Sequence, residues 1–168
     1  MASDIYQFRP MTMQDLPLLR HWLAVPHVAQ WWGEPDQQFA LVSADLDHPA
    51  MDQYIIAMQD RPLGYLQCYQ LSAWNSGFGS QPQDTRGIDL FIGEADMIGC
   101  GHGAALIHSF VAGLLATGTP RVVTDPAPVN ARAIRAYEKA GFQRERIVDT
   151  PDGIALLMAC DSRPATHE

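Results

Sequence analysis

The sequence predicts a mixed α/β domain, and three observations predict it. Arg121–Phe142, RVVTDPAPVNARAIRAYEKAGF, reads as strand, rigid turn, capped helix, glycine stop and next strand. Ile98–Gly103 sets three glycines ahead of an apolar helix. The elements along the chain run strand, helices, three strands, helix, strand, helix, two strands. A chain of 168 residues with 47% hydrophobic content can bury one full core. No internal repeat, low-complexity tract or linker divides it, so a single domain over residues 1–168 is expected.

Taken in order, Asp4–Pro10 alternates through Ile5 and Phe8 and predicts a first strand ended by Pro10. Thr12 can cap a helix from Met13 to about Ala24, with Leu16, Leu19, Trp22 and Leu23 inward and Pro26 as the stop. Glu34–Asp47 predicts a second, shorter helical region. Gln53–Met58 and Leu63–Leu71 predict a hairpin around the turn Gln59–Pro62. Ser72–Arg86 is rich in Gly, Ser, Gln and Pro and carries Trp74 and Phe78; a loop this long in a compact domain is functional or mobile. Gly87–Gly93, GIDLFIG, predicts a central strand, and Ala104–Thr117 an apolar helix ended by Gly118.

In the organising stretch, Arg121–Thr124 is a short strand. The prolines Pro126 and Pro128 end it, because proline lacks an amide proton and pushes the preceding residue out of the α region. Asn130 is an N-cap, Ala131–Ala140 a helix of strong formers, and Gly141 its stop. Gln143–Val148 and Ile154–Cys160 predict the last strands, joined by Pro151-Asp152-Gly153.

Composition narrows the function. A net charge of −8 argues against a nucleic-acid partner, which needs clustered Lys and Arg, and favours a small cationic one. The same balance also serves simply to keep a protein soluble. No apolar run is long enough for a membrane span, and the N-terminus lacks a basic region followed by an apolar core, so a cytoplasmic protein away from membranes is expected. Cys68, Cys100 and Cys160 form no Cys-x-x-Cys pair and read as free thiols; no metal is expected.

Four features carry possible chemistry. Glycines at a helix start let backbone amides approach a phosphate, and the helix dipole favours the anion there; a plain turn would give the same residues. Asn130, Ala133, Ile134 and Tyr137 share one helical face, either along a ligand or against the core. Asp89 stands alone in an apolar strand. Its carboxylate must be paired, to Arg86 or Arg121, or hydrogen-bonded, or facing a wet cleft. Cys100 sits at a helix start, where a thiolate is favoured, but lacks a positioned base.

Asn130, Ala133, Tyr137, Gly141 and Phe142 resemble the second acetyl-CoA motif of the GNAT acetyltransferases. Gly101 and Gly103 resemble that superfamily's pyrophosphate motif, with Ile98 where Arg or Gln usually opens it. The resemblance implies the GNAT fold: a mostly antiparallel sheet with flanking helices, in which two parallel strands, here Gly87–Gly93 and Arg121–Thr124, splay apart. It implies acetyl-CoA as cosubstrate, bound near Phe91, Ile92, Gly99, Gly101, His102, Gly103, Ala104, Asn130, Ala133 and Tyr137.

The match narrows further. His27-Val28-x-x-Trp31-Trp32-Gly33, Arg86-Gly87-Ile88-Asp89, the Thr124–Phe142 run and Thr150-Pro151-Asp152-Gly153 together resemble the aminoglycoside 6′-N-acetyltransferases. That resemblance implies Asp89 as base, Tyr137 as acid, Asp125 and Asp152 as holders of a polycationic substrate, and Trp31, Trp32 and Trp74 beside it. The long loop departs from the group in having one acid, Asp84, and an isolated Trp74. A related branch that acylates lysine or hydroxylysine side chains shares the His-Val region and the Tyr helix but typically lacks the Gly-Ile-Asp strand. A CoA-binding sensor without catalysis is the non-enzyme alternative, and monomer or homodimer both remain open. Whichever amine is used must lose a proton, so Asp89 serves as base only if its pKa is raised or a water relays the proton; otherwise it orients the amine.

Overall fold

The structure is a computed structural model and describes residues 5–74 and 76–162. Asp4 of the expected first strand and Asn75 of the long loop lie outside the described residues. A seven-stranded sheet runs through the molecule in the order β1-β2-β3-β4-β5-β7-β6. The strands are β1 Tyr6–Pro10, β2 Met51–Met58, β3 Arg61–Gln70, β4 Arg86–Ile92, β5 Arg121–Thr124, β6 Gln143–Thr150 and β7 Gly153–Asp161. The helices are α1 Leu16–Leu23, α2 Pro26–Trp32, α3 Pro35–Ala44, α4 His102–Ala116 and α5 Ala131–Lys139. Every neighbouring pair is antiparallel except β4 and β5. This is the expected GNAT arrangement.

Local differences from the sequence reading have local causes. In β1 the inward residues are Tyr6 and Phe8, two apart and so on one face, while Ile5 is 48% exposed. Thr12 caps only a 3-10 turn, Met13–Asp15, through a capping box with Asp15. Pro17 fits only a first helical turn, so the α-helix proper begins at Leu16. Pro26 likewise opens α2 rather than only closing α1, and HVAQWW becomes a helix of its own. The β2–β3 turn is two residues, Gln59 and Asp60, both left-handed at φ 51° and 65°, which matches the twist of a tight hairpin and returns Arg61 and Pro62 to β3.

Helices α4 and α5 cover one face of the sheet, where Leu66, Cys68, Ile88, Val122, Leu106 and Ile134 pack together. Helices α1–α3 cover part of the other, around Trp22, Val42, Ile55, Tyr65 and Phe91. The remainder of that second face lies under the long loop, whose Phe78 is buried against Val123, Val148 and Leu157. The loop is pinned rather than loose. Arg146 donates to the Phe78 carbonyl and Arg121 Nη1 to Gln81 Oε1 at 3.1 Å. Both arginines come from the β5–β7 end of the sheet, so the loop is held over that end of the second face.

Candidate active site

β4 and β5 pair only at Arg86↔Val122 and Gly87↔Val123 and then part. Alternation along β4 decides which backbone groups face the gap. Gly93 N–H donates to Leu63 C=O at 2.8 Å, and Phe91 and Asp89 stand opposite Tyr65 and Gln67 in the same ladder. Ile88, Leu90 and Ile92 therefore turn their N–H and C=O the other way, toward the space β5 vacates. Two of those carbonyls have partners: Thr124 Oγ1 donates to Ile88 C=O at 3.0 Å, and His27 Nε2 donates to Ile92 C=O at 2.8 Å. The amides left at this edge are those of Leu90 and Ile92. Of Phe91 and Ile92, both expected near acetyl-CoA, Ile92 turns its amide to the gap and Phe91 turns its amide to β3, because one residue along a strand reverses the hydrogen-bonding direction.

Asp89 projects toward the loop-covered face. Gln67 Nε2 donates to its Oδ2 at 3.0 Å, and the Tyr65 hydroxyl donates to Gln67 Oε1 at 2.8 Å. The ion-pair alternatives do not occur: Arg86 bonds Asp52 at 2.9 Å, and Arg121 bonds Glu145 and Asp161 at 2.7 Å each. Asp125, just past the end of β5, stands against Asp89 closely enough for the two carboxyls to share a proton. Asp152, in the β6–β7 turn, adds its negative charge to both. Burial and these like charges push Asp125 up to about 8. Burial raises Asp89 too, against the pull of its Gln67 and Asp125 hydrogen bonds.

Tyr137 reaches the same gap from the α5 side. Its ring is buried and packs edge-on against Phe142 at 5.3 Å, with Thr124 near its hydroxyl. Burial, followed by the charges of Asp89 and Asp125, drives the phenol above its usual value, so it keeps its proton. Asn130 Oδ1 accepts from Ala133 N–H at 3.2 Å, so this pair caps and starts the helix that carries Tyr137.

The α4 start is open. Gly101 is its N-cap at φ +85° with no side-chain cap, Gly99 sits at φ +78°, and no atom lies within 4 Å of where a Cβ on either would stand. The first-turn amides of His102, Gly103 and Ala104 have no partner within their own helix, as geometry demands. This open, amide-lined cradle beside a parted pair of strands fits a diphosphate with a chain running from it. A Cβ on Gly103 would stand 3.7 Å from Ala136 Cβ of α5, an ordinary contact, so the packing of α4 on α5 does not itself demand glycine there. The His102 imidazole turns to Tyr6 OH at 2.7 Å, leaving its backbone amide for the cradle.

The tryptophans do not gather at one point. Trp32 packs edge-on against Phe91 at 5.1 Å and Tyr65 at 6.0 Å, Trp31 is 42% exposed, and Trp74 lies against Tyr69 at 5.4 Å and His48 at 4.9 Å. Tyr69 occupies the space over Gly87, where a Cβ would strike its ring. Gln67, Tyr65, Tyr69, Thr124 and His27 are site residues that sequence reasoning missed. Tyr65, Gln67 and Tyr69 alternate in LGYLQCYQL, the one signal that could have marked a polar face.

Comparison with known proteins agrees with this geometry. Residues 11–150 match a family model described as "Acetyltransferase (GNAT) domain". Aminoglycoside N(6′)-acetyltransferase type 1 of Klebsiella pneumoniae is 36% identical over 169 residues, 94% of this chain and 83% of that protein. A structure of AAC(6′)-Ib in complex with parmomycin and acetyl-CoA superposes with a TM-score of 0.84 at 32% identity, over 97% of this chain and 99% of that one. The N5-hydroxyornithine acetylase sidL of Beauveria bassiana is 27% identical over 146 residues, 83% of this chain and 26% of that protein.

Proposed function

The chain belongs to the GNAT acetyltransferase family, and from that premise we propose that it acetylates the 6′-amine of an aminoglycoside with acetyl-CoA. The observation that carries the reading is the cluster of Asp89, Asp125 and Asp152 at the mouth of the β4/β5 gap, with Tyr137 on its other side. Three carboxyls with no cation of their own among the described residues suit a substrate bearing several ammonium groups. The likeness to named aminoglycoside acetyltransferases supports the same choice. A cytoplasmic setting goes with the reading, since CoA thioesters are found there.

Acetyl-CoA, when bound, supplies an activated acetyl group and a thiol leaving group. The amides of Gly101, His102, Gly103 and Ala104 would hold its diphosphate at the positive end of α4. The Ile92 amide, facing the gap, would donate to an oxygen that gains charge there. Asp152 and the single charge that Asp89 and Asp125 share would draw the polycation so that one amine meets Asp89, which supplies orientation as well as attraction. A carboxylate near 4 taking a proton from an ammonium near 8 costs about 5.5 kcal/mol. Raising Asp89 narrows that gap, so its environment favours a base over a mere anchor. Tyr137 keeps its proton and faces the gap beside Thr124, where it can hydrogen-bond a departing sulfur; its raised value makes full proton donation harder than for an exposed phenol.

The competing reading is acylation of a lysine- or hydroxylysine-type or peptide amine, which the likeness to a hydroxyornithine acetylase favours. Free-thiol release from acetyl-CoA, measured against kanamycin, tobramycin, lysine derivatives and short peptides, separates the readings. We expect turnover with the aminoglycosides and a product acetylated at the 6′ position by NMR. Turnover with lysine derivatives alone would replace the first reading by the second. Tight CoA binding without turnover on any amine would mark a sensor.

A further inference from the structure

We propose that Gln67 is a positioning residue for Asp89, and that the Tyr65 hydroxyl decides which end of the Gln67 amide meets the carboxylate. An amide has two ends of nearly equal size, one donating and one accepting. Turned one way Gln67 steadies Asp89; turned the other, its oxygen faces a carboxylate oxygen and repels it. The Tyr65 phenol has one proton to give, and it gives it to Gln67 Oε1 at 2.8 Å, which leaves Nε2 aimed at Asp89 Oδ2 at 3.0 Å.

The phenol cannot easily turn away. Tyr65 is fully buried, with Trp32 edge-on at 6.0 Å and Phe91 tilted over it at 5.7 Å. The other amide beside it acts as a donor toward the phenol oxygen and takes no proton from it. This is Gln53, whose Nε2 also donates to Val42 C=O at 2.8 Å and whose buried Oε1 has no partner. An orphaned buried acceptor costs about 1–3 kcal/mol. The fold tolerates that cost on Gln53, and the phenol proton stays with Gln67, which is the arrangement a device for orienting Asp89 needs. With Oδ2 held by Gln67, the rest of the Asp89 carboxyl is left for Asp125 and for an incoming amine.

The other groups acting on Asp89 are Asp125 at the end of β5, Asp152 in the β6–β7 turn, Tyr65, Cys68 and Tyr69 on β3 and Tyr137 on α5. All are acids; Gln67 is the amide donor that favours the ionised carboxylate, ahead of Asp125, which does so only while it carries a proton. Losing a hydrogen bond to a charged group is worth about 10-fold or more in an equilibrium.

The test compares the parent with Gln67→Leu, Tyr65→Phe and the double variant. Its kinetic arm rests on the acetyl-transfer reading; its titration arm does not. The first readout is the Asp89 side-chain carbon signal followed against pH by NMR without substrate, assigned by its loss in Asp89→Asn. The second is the pH profile of kcat/KM for whichever amine the parent accepts. In Gln67→Leu both the Asp89 midpoint and the acidic limb should rise by about one pH unit, and kcat should fall about 10-fold, with CoA affinity unchanged. Tyr65→Phe should move them the same way by less, and the double variant should equal Gln67→Leu. A folded Gln67→Leu that titrates and turns over like the parent overturns the proposal. Should Gln67→Leu not fold, an unshifted Asp89 midpoint in Tyr65→Phe does the same. Effects that add in the double variant remove Tyr65 from the device. A parent inactive on every amine would sink the acetyl-transfer reading and leave the titration arm to decide this one.

Discussion

Asp125 shows how a single carboxyl in this site sets a pH dependence. Its folded value of about 8 stands well above the ordinary carboxylate value of 3.8 that it takes in the unfolded chain. Between those two values the folded protein binds a proton that the unfolded chain has released. Stability therefore falls as pH rises through that window and has lost the full contribution above about 8. Asp125→Asn removes the titration while keeping a neutral, hydrogen-bonding side chain. The variant should melt close to the parent near pH 4–5 and progressively above it up to about pH 8.5, in the absence of amine and CoA. Thermal unfolding followed by circular dichroism across that range measures the gap. A gap that stays constant, or that turns against the variant as pH rises, would mean that Asp125 is ionised in the folded protein and shares no proton with Asp89.

At the scale of the element, the start of α4 separates a conformational requirement from a ligand requirement. Gly101 needs its glycine for φ +85°, not for space, since nothing crowds a Cβ there. Gly118, at the other end of the same helix, is equally open at φ +107°. Alanine at either position should cost about 1–2 kcal/mol through backbone strain. Only Gly101→Ala should also weaken CoA, by about 10-fold in calorimetry, because only there does the added methyl enter the proposed diphosphate cradle. Equal CoA affinity in the two variants would move the diphosphate elsewhere. These α4 glycines, and the whole run from Arg121 to Phe142, were legible because local signals suffice: prolines break the strand, Asn130 caps the helix, Gly141 ends it. Asp89 was legible because it is a lone acid in an apolar strand. Gln67 was not, because its role depends on the β3–β4 register that sets it opposite Asp89, and a register one residue away would have turned it to the other face. His27 was quoted as part of a motif, but its bond to Ile92 depends on α2, a seven-residue helix between two prolines' influence that periodicity alone did not reveal.

Over the whole molecule the excess of acid is not evenly neutralised. The chain carries 19 Asp and Glu against 11 Lys and Arg. Arg9, Arg20, Arg61, Arg86, Arg121 and Arg144 are each taken up by carboxylates elsewhere. Among the described residues Glu34, Asp45, Asp47, Asp60, Asp84, Asp89, Asp125, Asp149 and Asp152 have no ion-pair partner, and of these Asp89, Asp125 and Asp152 act on one another at one cleft. Such a cleft draws a polycation from beyond contact distance, and that attraction is screened over about 10 Å at 0.1 M salt. kcat/KM for kanamycin should therefore fall as sodium chloride rises from about 0.02 to 0.5 M, through KM more than kcat. The fall should be shallower for an amino sugar with a single ammonium, which feels the same field with less charge. CoA should respond in the opposite sense or hardly at all, since it is an anion approaching a molecule of net charge −8 and is held by backbone amides rather than by a basic patch. Equal salt slopes for the polycation and the single ammonium would mean that the three carboxyls do not act together on the substrate, and the preference for an aminoglycoside over a lysine-type amine would lose its physical basis.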